Sequence, residues 1–133
     1  MGDLTRSFSN FEFECRGKCG FHCRTARMAP EFLAKLQMLR DRIGKPIKVT
    51  SGIRCKSHNA KIGGAPKSWH IPRDGVCYAS DIRTGRSDEE VLRLYAAADS
   101  LGFHGIGLYK GRIHVDMRPT TRARWVDKSW SWS

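Results

Sequence analysis

The chain has 133 residues, 24 of them Lys or Arg and 13 Asp or Glu, giving a formal charge of +11. With 40% apolar residues and ordinary glycine and proline counts, the composition excludes a disordered or collagen-like chain, and no apolar run approaches the ~18 residues of a membrane span. The length predicts one domain over 1–133, able to bury a core without metal or disulfide, and the charge favours polyanionic partners.

Residues 1–27 first alternate Phe8, Phe11 and Phe13 with polar residues, then become rich in Cys, Gly and Arg. They predict an irregular N-terminal arm that lays its phenylalanines on the domain. The start, Met-Gly-Asp-Leu-Thr-Arg, lacks the apolar stretch of a secretory signal, so synthesis in the cytoplasm is expected. An odd count of cysteines (Cys15, Cys19, Cys23, Cys55 and Cys77) argues against a fully paired disulfide framework. Cys15, Cys19, His22 and Cys23 lie close enough for a second, structural zinc, but without the usual two-residue spacing. Reduced thiols are the plainer reading. A Cys15–Cys23 or Cys55–Cys77 bridge stays open for an oxidising compartment.

A helix follows. Pro30 suits its first position, Phe32, Leu33, Leu36, Leu39 and Ile43 recur at three- and four-residue steps, and Gly44 is a natural stop. Pro46 to Thr50 reads as a strand. Ser87 and Glu90 form a capping-box pair ahead of a second helix, whose apolar face is Val91, Leu94, Tyr95, Ala98 and Leu101, ended by Gly102. Two strands, Ile106–Tyr109 and Arg112–Met117, flank a tight Lys110-Gly111 turn. Helices and strands do not alternate as a parallel sheet requires, so the prediction is α+β, a small antiparallel sheet flanked by helices. The tail over 126–133 ends Trp-Ser-Trp-Ser, its indoles either docked on the core or exposed to sugar or membrane.

On the last predicted strand, side-chain alternation puts Arg112, His114 and Asp116 on one face and Ile113, Val115 and Met117 on the other. Upstream lie Ser68-Trp69-His70 and a strand-like Tyr78-Ala79-Ser80-Asp81-Ile82. His70, Asp81 and His114 supply two imidazoles and one carboxylate. That is the three-ligand set of a catalytic zinc site with one position left open. His58 reads as a hydrogen-bonding residue of the fold, and His104 as a surface residue. No zinc-finger spacing, RNP-like motif or basic heptad accompanies the charge, so specific nucleic-acid recognition is not expected.

The run Val49-Thr50-Ser51-Gly52-Ile53-Arg54-Cys55, then His58-Asn59, Gly63-Gly64-Ala65, Ser68-Trp69-His70, Ala79-Ser80-Asp81-Ile82, Gly105-Ile106-Gly107-Leu108-Tyr109 and His114-Val115-Asp116-Met117-Arg118 resembles the D-alanyl-D-alanine carboxypeptidase (VanY-like) zinc peptidases. The resemblance runs from the first helix to Trp125. It implies the hedgehog/DD-peptidase fold and a zinc peptidase acting on peptidoglycan stem peptides or cross-links. It implies one Zn²⁺ on His70, Asp81 and His114, Arg54 steadying the oxyanion or substrate, and Ser68 contacting substrate. A chain this short and basic is most similar to a phage endolysin or virion-associated lysin. Such a protein would act as a monomer at the bacterial wall, with electrostatic contact to lipopolysaccharide or an anionic membrane surface.

Two departures stand out. The stretch from Ile71 to Tyr78 lengthens the usual gap between the first two ligands, and the family's acidic general base three residues before the last ligand is Gly111 here. Asp116, on the face of His114, is therefore the candidate base. Its other reading is a partner that orients the imidazole. Asp74, in the lengthened stretch, is a second candidate. The missing acid also motivates an alternative: a zinc-containing module that binds cell wall or protein without turnover.

Overall fold

The computed structural model describes residues 2, 4–17 and 26–132. Helix α1 (Pro30–Ile43) forms where the apolar spacing dictates. Phe32, Leu33, Leu36 and Leu39 are its buried face, and Gly44 ends it in the left-handed region (φ 71°), donating its N–H to the Arg40 carbonyl. Helix α3 (Asp88–Leu101) buries Val91, Leu94 and Ala98. Its cap is as predicted, with the Ser87 hydroxyl accepting from the Glu90 N–H. A short helix α2 (Lys56–Lys61) lies between them in sequence. Helices α1 and α3 pack together, and α3 covers part of the sheet.

Among the described residues there are seven strands: β1 (Arg27–Met28), β2 (Lys48–Ser51), β3 (Val76–Cys77), β4 (Ala79–Arg83), β5 (Gly105–Tyr109), β6 (Arg112–Asp116) and β7 (Ala123–Val126). The main sheet has the order β2-β4-β6-β5-β7. The predicted small antiparallel sheet is corrected here: β7 runs parallel to β5, so the five-stranded sheet is mixed. The cause is geometric. The β5–β6 hairpin leaves Asp116 beside Gly105, at the start of β5. A chain that turns back from there to the free edge of β5 must travel in the direction of β5.

Part of the arm is described. Asn10–Phe13 forms a 3₁₀ turn, and Phe8 and Phe13 are buried while Phe11 is exposed. At the other end Trp130 docks on the core and Trp132 projects into solvent, the two rings meeting edge to face at 5.6 Å. Cys19, His22 and Cys23 lie outside the described residues, and with them the second-zinc and Cys15–Cys23 readings. No Cys55–Cys77 bridge forms. The Cys77 thiol points at the Ala79 and His70 carbonyls, while Cys55 Sγ accepts from the His58 N–H. Burial pushes the Cys77 thiol up to about 12, which makes it an inert core residue. Among the described residues, no helix is long and apolar enough to cross a membrane.

Candidate metal centre

Strands β4 and β6 are central and antiparallel, and their register sets Asp81 directly opposite His114. His70 arrives from a loop tied down at several points. The Ser68 hydroxyl accepts from the His70 N–H, the Arg54 N–H donates to the His70 carbonyl, and Arg73 donates to the carbonyls of Lys67, Ser68 and Ile71. The Arg73 guanidinium also lies 4.0 Å over the Trp69 ring. The result is a rigid turn that presents one buried imidazole.

The lengthened stretch between His70 and Asp81 does not disturb this arrangement. Arg73 and Val76 exchange backbone hydrogen bonds around Asp74 (φ 51°) and Gly75 (φ 76°), and β3 then pairs with β1 in a separate two-stranded sheet. The extra residues form a turn of their own and return the chain to β4 in register. Asp74, within that turn, does not line the cleft.

His70 Nδ1 lies 2.7 Å from the Gly52 carbonyl, which only accepts, so the hydrogen sits on Nδ1 and the lone pair on Nε2. His114 Nε2 lies 2.6 Å from Asp116 Oδ2, which fixes the opposite tautomer and leaves the lone pair on Nδ1. These two lone-pair atoms are 3.2 Å apart, and Asp81 Oδ1 is 3.1 Å from the first and 3.3 Å from the second. Three acceptors thus meet with no hydrogen between them. In a buried site such a meeting is unfavourable unless a cation joins it, and two imidazoles with one carboxylate are the donor set that zinc takes. All three side chains are buried, with ligand atoms within 4.8 Å of one another, so His70, Asp81 and His114 can hold a metal ion.

For His70 and Asp81 the electrostatics agree, whereas at His114 two carboxylates favour a proton that a metal ion would have to displace. Burial holds the His70 pKa down. Burial opposes ionisation of Asp81, but the two imidazole rings beside it, His70 first, outweigh that and hold the carboxyl well below its usual range. For His114 burial is likewise overcome, by the Asp116 and Asp81 carboxylates, and its pKa rises.

Around this group lies a cleft of about 820 Å³. Arg54 is fixed at three points: Nε donates to Ser51 Oγ at 2.9 Å, Nη1 to Asn59 Oδ1 at 3.3 Å and Nη2 to Asp81 Oδ2 at 2.8 Å. It therefore sets the carboxylate so that Oδ1 faces the imidazoles. Ser68 also lines the cleft. Asp116 does not. Its carboxylate is buried behind His114, where Arg118 grips it through Nε at 2.9 Å and Nη2 at 2.7 Å. Although burial opposes it, hydrogen bonds from His114 and then Arg118 hold the Asp116 carboxyl below the usual range.

Residues that sequence reasoning left without a role complete the site. Asn59 is buried and joins Arg54 to the cleft rim by donating to the Ala65 carbonyl. A side chain at Gly64 would strike Asn59, which accounts for glycine there. The Trp125 indole lies 5.1 Å from the His114 ring and donates to the Tyr109 hydroxyl. The signals for Asn59 and Arg118 were present, inside the His58-Asn59 and His114-to-Arg118 runs.

A mixed sheet whose central strands and one pinned loop bring two imidazoles and a carboxylate together beside a cleft can hold a metal ion on three protein ligands. The family model described as Peptidase M15 matches residues 6–116, and the chain belongs to that family. M15 peptidases are zinc-dependent. No curated protein matches the chain.

Proposed function

We propose that the protein is a zinc-dependent peptidoglycan peptidase, a D,D-carboxypeptidase or endopeptidase hydrolysing an amide bond of murein stem peptides or cross-links. The observation that carries this reading is the convergence of three buried acceptor atoms on one side of a cleft. When bound there, zinc supplies a Lewis acid for the amide carbonyl and a means of ionising water near neutral pH. The chain's own residues prepare the site. Gly52 and Asp116 fix the imidazole tautomers, Arg54 aims Asp81, and Trp125 covers one face of His114. Arg54 has N–H groups beyond those in use and lines the cleft, so it can also meet an oxyanion; Ser68 is placed to contact substrate. We assign Asp116 to orienting His114 rather than to proton transfer from water, because it faces away from the cleft.

The reading extends to a lytic role at the bacterial wall, as a monomeric phage endolysin or virion-associated enzyme. The strong positive charge supports it, because it suits contact with lipopolysaccharide or an anionic membrane surface. Purified murein incubated with the zinc-loaded protein should release free amino groups, and chelator or His114→Ala should abolish the release. Turnover that survives both would sink the metallopeptidase reading. A second reading has its own observation. Beside Asp81, the only carboxylate lining the cleft among the described residues is Asp127, and position 111 is glycine. A zinc-holding wall- or protein-binding module without catalysis predicts retained zinc and murein binding with no amino-group release.

A further inference from the structure

Arg112 stands out in the cleft. It begins β6, two residues before His114 and on the same face, and its Nε lies 3.8 Å from Asp81 Oδ2. It thus sits beside the carboxylate that Arg54 holds from another side. The two arginines differ in what they have left to give. Arg54 is 11% exposed and engaged through all three nitrogens, whereas Arg112 is 39% exposed. No hydrogen-bond acceptor among the described residues takes an Arg112 N–H, and its closest ion-pair contact is the long one to Asp81. Its guanidinium instead stacks on the Tyr109 ring at 4.5 Å, which limits its rotation and leaves the N–H edge unspent. Lys67 and Arg118 line the same cleft, so its four cationic side chains outnumber Asp81 and Asp127.

We propose that Arg112 determines substrate specificity by receiving a peptide carboxylate about one residue from the amide that is cut, with Tyr109 holding its guanidinium toward the cleft. The proposal rests on the peptidase reading and narrows its substrate class to anionic peptides. Planar, bidentate pairing is what an arginine fork offers a carboxylate. The reach fits a carboxylate close to the amide that is cut, because Arg112 lines the same cleft as His70, Asp81 and His114 and its Nε lies 3.8 Å from Asp81 Oδ2, the oxygen turned away from the imidazoles. The carboxylate is either the C-terminal one or that of an acidic side chain.

The test uses the zinc-loaded full chain and four acylated peptides ending in D-Ala-D-Ala: free acid or C-terminal amide, each with Glu or Gln upstream. Binding is read by tryptophan fluorescence and turnover by amino-group release. The wild type should favour one acid form over its neutral counterpart by about tenfold or more, in Kd or KM, and the pair showing it identifies the carboxylate. Arg112→Gln should erase that preference, the loss falling on Kd or KM for the acid form rather than for its neutral counterpart, and Arg112→Lys should keep part of it. A wild type indifferent to both substitutions, or an Arg112→Gln protein with undiminished preference, overturns the proposal. If nothing is cleaved yet Arg112→Gln erases a wild-type binding preference, the peptidase reading fails and the role of Arg112 stands.

Discussion

Asp116 shows how a single residue can be placed correctly by sequence and still change meaning in three dimensions. Alternation along a strand puts it on the face of His114, and the two side chains do meet, at 2.6 Å. What alternation does not reveal is Arg118, which lines the cleft itself and grips the buried carboxylate, leaving Asp116 out of the cleft lining. Carboxylates in this position fix the tautomer and raise the basicity of a ligating imidazole. Asp116→Asn should therefore lower zinc affinity by about ten- to a hundredfold, as read by competition with a chromophoric chelator. Unchanged affinity would refute the orienting role. The three ligands were legible because their residue types announce themselves. Arg112 and Trp125 were not, because arginine and tryptophan serve many purposes and only contacts decide among them.

At the scale of elements, β5 is shaped by what lies beside it. Gly105 is paired with Asp116, and Gly107 with both His114 and Trp125. A Cβ at Gly105 would run into the Asp116 carboxylate, and one at Gly107 into the Trp125 indole. Gly105→Ala should cost about 1–3 kcal/mol, the range for overfilling a packed site, and weaken zinc binding by displacing Asp116. Urea unfolding with and without zinc checks both; an alanine that alters neither would mean that the carboxylate yields freely. The glycines were visible as part of a motif, but their cause lies on neighbouring strands. The same division explains which elements the sequence predicts. Helices α1 and α3 and the β5–β6 hairpin carry local signals: caps, a 3.6-residue period and a tight turn. Strand β7 is a half-exposed edge whose Ala-Arg-Trp-Val has no clear period. The β1–β3 pair spans residues 27 to 77, and nothing local encodes that pairing.

For the whole molecule, the excess of positive charge has no bearing on how the chain folds and much on where it goes. If it draws the protein to an anionic envelope, association with intact bacterial walls should weaken steeply between about 0.01 and 1 M salt, as the screening length shrinks from roughly 30 to 3 Å. Cleavage of a small neutral peptide should change little over that range. Wall binding indifferent to salt would leave the charge without this role. The turn at Asp74-Gly75 has a different consequence, one for recognition of such proteins. The residues between the first two donors make a turn of their own, pair with β1 and enter β4 with Asp81 opposite His114. A search template that counts a set number of letters between histidine and aspartate will discard chains like this one. A template drawn in space, asking for three lone pairs meeting at one point with each ring pinned from behind, will retain them.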